Sequence, residues 1–128
     1  MSNESRPILN NYTEVLSFVA QKIGVTGSDN DYQYYPFSRD DTSRGFLELI
    51  FPVTDSSGRL LRGAAGNGPI FIFLYSRGTW TFLGEMEGTK VTPDTLNETI
   101  QFRTYSHVSA ISGIERQYEF RHSEYVCV

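Results

Sequence analysis

The sequence predicts an α+β fold in which one N-terminal amphipathic helix packs on a curved, mostly antiparallel sheet of about five strands. Apolar residues between positions 7 and 23 recur at intervals of three and four residues, as on one face of a helix. Beyond position 45 they alternate with polar residues or form short runs bounded by glycine, as in strands. The chain of 128 residues fits one domain, so residues 1–128 are predicted to fold as a single unit.

The N-terminal helix is predicted to follow a polar, disordered tail at residues 1–6. Pro7 suits the first helical position and Gly24 suits the end, which would give a helix about 25 Å long. Asn11, with Glu14 three residues later, offers an alternative and later N-cap. The apolar stripe consists of Ile8, Leu9, Tyr12, Val15, Leu16, Val19, Ala20 and Ile23. We expect this stripe to pack on the sheet of the same chain.

Residues 24–45 are predicted to form a long loop that contains one short extended piece between Tyr32 and Phe37. Four aromatic residues lie in this piece, namely Tyr32, Tyr34, Tyr35 and Phe37. Long loops in compact domains are often functional, so these four residues are candidates for an interface. The alternative is a loop held across the end of the sheet by its own rings.

The central element of the sheet is predicted to be a hairpin within Pro69–Glu87. Its first arm, Ile70–Tyr75, has no polar residue on either face, which is typical of a strand that is covered on both sides. The turn has two alternatives. A two-residue turn needs a positive φ at Arg77, which is unfavourable, so a three-residue turn with a left-handed Gly78 and a bulge is favoured.

Three further segments flank this hairpin. Residues 46–53 alternate apolar residues with Glu48, which predicts a strand with Glu48 on its other face. Residues 91–99 are predicted to be a connection with one helical turn. The last third predicts a long hairpin in which Ser109 pairs with Gly113, so that Arg103 lies opposite Glu119 and His107 opposite Glu115.

Composition excludes several classes of function. The net charge is −4 and the pI is about 5.1, whereas a general binder of nucleic acid or of anionic membranes needs a basic surface. No apolar run approaches the roughly 20 residues that cross a bilayer. The single cysteine, Cys127, allows no internal disulfide and fits a reducing compartment. The predicted location is therefore the cytoplasm, with neither nucleic acid nor membrane as a partner.

The residues do not form a recognisable catalytic or metal site. In the predicted register His107 and His122 are roughly 24 Å apart, too far to share a metal ion. No nucleophile motif is present, so no catalytic residue, metal or cofactor is predicted, and an enzyme is disfavoured. His122 is expected to face inward opposite Ile100. An inward polar residue needs a partner. The candidate ligand-binding residues are His122, Arg116, Tyr118 and Trp80.

Two functions of different class follow from this reading. One helix cannot cover a five-stranded sheet, so the second face of the sheet must be covered by curling around a cavity, by the tyrosine-rich loop or by a partner subunit. The first hypothesis is a noncatalytic binding or assembly module that forms a homodimer through an aromatic-rich sheet face. The alternative is a small pocketed ligand-binding protein or enzyme with a cavity inside the curved sheet.

Overall fold

The computed structural model describes residues 8–24, 32–38, 45–53, 67–96, 99–109 and 111–128. These residues form one α-helix and nine β-strands arranged in two antiparallel sheets. In chain order the elements are β1 (Ile8–Leu9), α1 (Tyr12–Ile23), β2 (Tyr32–Ser38), β3 (Phe46–Pro52), β4 (Gly68–Ser76), β5 (Thr79–Gly88), β6 (Lys90–Leu96), β7 (Thr99–His107), β8 (Gly113–Arg121) and β9 (Glu124–Cys127).

Helix α1 begins at the later of the two predicted caps. The Asn11 side chain accepts a hydrogen bond from the Glu14 backbone N–H at 3.0 Å, and the Glu14 carboxylate accepts one from the Asn10 backbone N–H at 2.9 Å. Gly24 ends the helix in the left-handed conformation, as predicted. The helix is therefore about 18 Å long rather than 25 Å. Ile8 and Leu9 form a short strand beside β5 because the cap at Asn11 excludes them from the helix.

Sheet A has five strands in the order β1-β5-β4-β3-β2, and β4 is its central strand, as predicted. The turn between β4 and β5 is the tight, two-residue alternative. Ser76 pairs with Thr79, and Arg77 and Gly78 have φ values of 54° and 83°. The preference for a bulged turn was wrong, because positive φ at both central residues matches the twist of a two-residue hairpin.

A bulge does occur in β5, but at Leu83, the fifth residue after the turn, rather than within the turn. The register of β4 and β5 shifts between Ile72, which pairs with Gly84, and Phe73, which pairs with Phe82. Leu83 is the extra residue. Alternation from Trp80 already puts Phe82 on the α1 side and Leu83 on the opposite side. Because of the extra residue, Met86 faces that opposite side as well, although it lies three positions after Leu83.

The second, C-terminal sheet, which we call sheet C, has four strands in the order β6-β7-β8-β9. The chain enters it directly from β5, because the Thr89 backbone N–H already donates to the Tyr105 carbonyl at 2.8 Å. The predicted helical turn within residues 91–99 is wrong. Residues 90–96 pair with β7 instead, and Pro93 is compatible with a strand there because β6 is an edge of the sheet.

The β7–β8 hairpin is present, with its register two residues away from the predicted one. His107 pairs with Gly113, and Arg103 pairs with Gln117 rather than with Glu119. A shift by an even number of residues keeps every side chain on its predicted face. Phe102 and Thr104 are therefore buried as expected, whereas the predicted charge pairs are replaced by Arg103 with Asp94 at 2.8 Å and with Glu115 at 3.4 Å.

Three layers account for the double burial of β4. The α1 side of sheet A is a cluster of Leu9, Val15, Leu16, Val19, Ile50, Phe71, Phe73 and Trp80. The other side packs on sheet C through Leu47, Leu49, Phe51, Ile70, Ile72, Leu83, Met86, Phe102, Tyr118 and Tyr125. The prediction of a single five-stranded sheet was therefore incomplete. The second face of sheet A is covered by the C-terminal strands of the same chain.

Candidate functional site

A cluster of four aromatic rings and one carboxylate lies where α1 begins. We call the four rings and the carboxylate the Trp80 cluster; its members are Tyr12, Phe46, Glu48, Tyr75 and Trp80. Trp80 is its centre, with ring centroids 4.8 Å from Tyr12, 4.6 Å from Tyr75 and 6.0 Å from Phe46. The β4–β5 turn brings Tyr75 and Trp80 together as direct partners, and Phe46 pairs with Tyr75 from β3.

Glu48 is the buried acidic member of this cluster. Its side chain lies on β3 between α1 and sheet A, and the residue is 4% exposed. The Tyr12 hydroxyl donates a hydrogen bond of 2.5 Å to Oε1 of Glu48. Burial raises the pKa of Glu48, and the Tyr12 hydrogen bond offsets part of that rise because it favours the charged form. Burial thus makes ionisation of the Glu48 carboxyl group costly.

No described basic residue neutralises Glu48. The ion pairs within the described ranges involve Arg103 and Arg121, which lie on sheet C. Lys22, on α1, lies over the rings of Phe18 and Phe82 at 5.5 and 5.4 Å. Burial raises the pKa of Glu85, and the charge of Lys22 opposes that rise. The positive charge of Lys22 thus acts on a different carboxylate.

The protonation of Glu48 predicts how stability depends on pH. In the folded protein its pKa lies above the ordinary value of 4.5, so the folded state binds the proton more tightly than the unfolded chain. Protonation of Glu48 therefore contributes its full stabilisation of the folded state below about pH 4.5, and this contribution is lost as the pH rises through the raised pKa. We expect the free energy of unfolding of the wild type to fall relative to that of Glu48→Gln between about pH 4.5 and neutrality. Urea unfolding at a series of pH values measures this difference.

The matched control for this experiment is Glu85→Gln. Glu85 is exposed and Lys22 opposes the rise of its pKa, so the same substitution there should produce a smaller dependence on pH. Tyr12 is the titratable group that contacts Glu48 from α1, and the residues paired with Glu48 in sheet A, Pro36 and Phe73, do not titrate. A wild-type minus Glu48→Gln difference that stays constant across the pH range would contradict the assignment.

The predicted inward orientation of His122 is wrong. His122 and Ser123 form the two-residue turn between β8 and β9, with φ values of 53° and 70°, and His122 is exposed. The sequence pattern did not predict β9. That strand forms because Tyr125 becomes buried, at 4% exposure, and because its hydroxyl donates to the Ile100 carbonyl at 2.7 Å. Tyr125 thereby occupies the neighbourhood of Ile100 that had been assigned to His122.

The other predicted ligand-binding residues do not converge on one site. Tyr118 is buried between the two sheets, where its hydroxyl accepts a hydrogen bond from the Glu87 backbone N–H at 3.2 Å. Arg116 donates to the Ser106 hydroxyl at 2.9 Å on sheet C. Trp80 packs on the α1 side of sheet A, so the sheet separates it from Tyr118. A single pocket formed by all four predicted residues is therefore not present.

The predicted interface residues lie in β2. The extended piece within the predicted loop is confirmed as a strand, and it pairs with β3 along its full length, from Tyr32 opposite Pro52 to Ser38 opposite Phe46. The backbone positions of Tyr34, Tyr35 and Phe37 are thus part of a sheet rather than of an irregular loop. The sequence also allows a short returning strand at Arg59–Arg62, but that segment lies outside the described residues.

Sequence reasoning missed Glu48 and Tyr12. The alternation in β3 placed Glu48 on the face opposite Leu47 and Leu49, which is correct, but it did not predict that this face is buried. The available signal was the run Phe46–Pro52, in which Glu48 is the one polar residue among six apolar ones. A lone carboxylate in such a run indicates a strand that is buried on both faces, together with a partner for the acid.

The described residues contain neither a metal-binding group nor a membrane-spanning helix, and the chain matches no known protein. Among the described residues no group of three or more His, Cys, Asp and Glu side chains could hold a metal ion. None of the helices in the described ranges has the length and apolar character needed to cross a membrane. No protein-family model matches the chain, and neither the curated proteins nor the solved structures contain a match.

Proposed function

We propose that this protein is a noncatalytic assembly module that forms a homodimer through the edge of strand β2. The observation that carries the proposal is the position of β2 at one end of sheet A. It is seven residues long, and β3 is its one neighbour within the described part of the chain. The unpaired backbone groups along such an edge are a template for a strand from another chain.

The amino-acid sequence of β2 supports this use of the edge. Its residues are YQYYPFS, with no charged side chain. Natural edge strands are commonly protected from pairing by lysines, by bulges or by proline. Pro36 is the one such feature here, and it removes a single N–H from the seven positions. Aromatic residues, which are enriched at interfaces, make up four of the seven positions.

The dimer is proposed at the edge of sheet A because both faces of that sheet are covered. Helix α1 packs on one face and sheet C on the other, so the premise that a partner subunit covers the second face no longer applies. Antiparallel pairing of β2 with its own copy would join the two five-stranded sheets into one. Such a two-fold contact is self-complementary and closes, so it stops at a dimer.

A lysine on β2 is predicted to dissociate the dimer. In a two-fold contact the substitution Tyr34→Lys introduces two like charges into one small interface, and it removes an aromatic ring from each copy. We expect the wild type to be a dimer at tens of micromolar and Tyr34→Lys to weaken the dimer by at least about tenfold. Native mass spectrometry and light scattering over a dilution series measure both values.

The matched control is Thr92→Lys, which places the same side chain on an exposed position of the edge strand β6 in sheet C. It should leave the wild-type association unchanged. Circular dichroism and thermal melting establish that both variants remain folded. A wild type that is monomeric at these concentrations, or a dimer that is weakened equally by the two lysines, would refute β2 as the interface.

A further inference from the structure

We propose that the Trp80 cluster is a binding site for a small organic cation with a quaternary or methylated ammonium group, whose charge pairs with Glu48. This goes beyond the proposed function and does not depend on it, because the cluster lies on the α1 face of sheet A and not along the β2 edge.

The first argument is the charge of Glu48. A carboxylate that is 4% exposed loses most of its hydration, and buried charges in proteins are paired with an opposite charge. The Tyr12 hydroxyl satisfies one oxygen with a neutral donor, and the ion pairs within the described ranges do not include Glu48. A bound cation would provide the missing opposite charge.

The second argument is the identity of the surrounding side chains. Three aromatic rings, from α1, β3 and β4, meet around Trp80 of β5. The faces of tryptophan and tyrosine attract cations, and this attraction is strongest for ammonium groups that are poorly hydrated. Phe46 stands edge-on to Trp80 at an interplanar angle of 89°, whereas Tyr12 and Tyr75 are tilted against it by 38° and 52°. The three rings therefore meet Trp80 at different angles rather than as a flat stack.

The third argument is access to the carboxylate. Tyr12 is the most exposed ring of the cluster, at 39%, and its hydroxyl is the group in contact with Glu48. A ligand that displaced the Tyr12 hydroxyl would contact Glu48, and it would then also lie beside Trp80, whose ring packs against that of Tyr12.

The donor atoms favour an organic cation over a metal ion. Calcium takes six to eight oxygen ligands, and magnesium takes six at strict octahedral positions. The cluster contributes one carboxylate and two phenol hydroxyls, while its remaining surface is aromatic carbon. An ammonium group with methyl substituents needs one negative charge and aromatic contacts, and these are the groups that the cluster provides.

Choline and its neutral carbon analogue 3,3-dimethylbutan-1-ol provide the test. The two molecules share their shape and differ in charge. Trp80 is the single tryptophan of the chain, so its fluorescence reports binding at this site directly. At pH 8 and constant ionic strength we expect choline to change the Trp80 emission saturably in the millimolar range and to bind at least about tenfold more tightly than the neutral analogue.

Variants distinguish binding that depends on the charge of Glu48 from nonspecific hydrophobic binding to the rings. Glu48→Gln should reduce the affinity for choline to that of the neutral analogue, whereas Glu85→Gln should leave it unchanged. Tyr12→Phe keeps the ring and removes the hydroxyl that competes for Glu48, so it should retain choline binding even if Glu48→Gln fails to fold. Equal binding of choline and the alcohol to the wild type, or no saturable change with either, would overturn the proposal whatever the assembly state of the protein.

Discussion

Phe73→Ala is expected to lower the free energy of unfolding by about 3 to 5 kcal/mol. Phe73 lies in the central strand β4 and is completely buried on the α1 side of sheet A. Its ring contacts Phe18 of α1 and Phe82 of β5, with centroid separations of 6.0 and 5.5 Å. Truncation removes these contacts and leaves a cavity between α1 and sheet A, and the surrounding structure relaxes only partially around such a cavity. Urea unfolding measures the loss.

The control for Phe73→Ala is Ile111→Ala in the connection between β7 and β8. Ile111 is 96% exposed, so its truncation should change the free energy of unfolding by less than about 0.5 kcal/mol. The melting temperature of Phe73→Ala should fall by roughly 10 to 20 °C, whereas that of Ile111→Ala should stay close to the wild-type value. Similar losses in the two variants would mean that the layer between α1 and sheet A does not hold the fold together.

Gly45→Ala is expected to destabilise the protein by about 3 kcal/mol. Gly45 precedes β3 and has a φ of 97°, which is strained for any residue with a Cβ. A Cβ at this position would also clash with the Tyr75 carbonyl oxygen. A backbone atom cannot rotate away as a side chain can, so the start of β3 must move relative to β4. Phe46 and Tyr75 pair there, so the emission of Trp80 should change together with the stability.

Gly78→Ala separates the two causes of the destabilisation expected for Gly45→Ala, which are the strain of a positive φ and the clash with the Tyr75 carbonyl oxygen. Gly78 has a similar φ of 83°, but a Cβ there has no atom within 4 Å. The substitution at Gly78 therefore carries the conformational strain alone, about 1 to 2 kcal/mol. The additional loss at Gly45 measures the close approach of β3 to β4. Equal losses at the two glycines would show that this approach has no energetic consequence.

The two proposals assign different parts of sheet A to different tasks. The β2 edge is proposed for assembly, and the Trp80 cluster on the α1 face for a small cation. Choline titrations of the wild type and of Tyr34→Lys can therefore be compared directly. Retention of choline binding by a dissociated Tyr34→Lys protein is the expected result, since the substitution lies on β2 and the cluster takes its residues from α1, β3, β4 and β5.

Short stretches of sequence were sufficient to predict the end of the helix and the central strand. The stop at Gly24 and the apolar run of β4 depend on neighbouring residues in the chain and were predicted from them, and the cap at Asn11 was one of the two helix starts that the sequence left open. The faces of β7 and β8 were also correct, because side-chain alternation is preserved by a two-residue shift in register. The register itself was wrong, because it is decided by the hydrogen bonds that the Val108 and Ser109 backbone N–H groups donate to the Ser112 carbonyl.

The candidate site also combines features that follow from the local sequence with features that depend on tertiary contacts. The sequence by itself determined that Glu48 lies on the opposite face of β3 from Leu47 and Leu49, and that Trp80 shares a hairpin with Tyr75. Only the tertiary structure decided that α1 covers that face and brings Tyr12 onto Glu48 across 36 positions of the chain. It also decided that the C-terminal strands form a second sheet, which buries Tyr125 and leaves His122 in an exposed turn. The physical reason is that burial of a polar or aromatic side chain depends on which distant element packs on its face, and alternation along one strand carries no information about that partner.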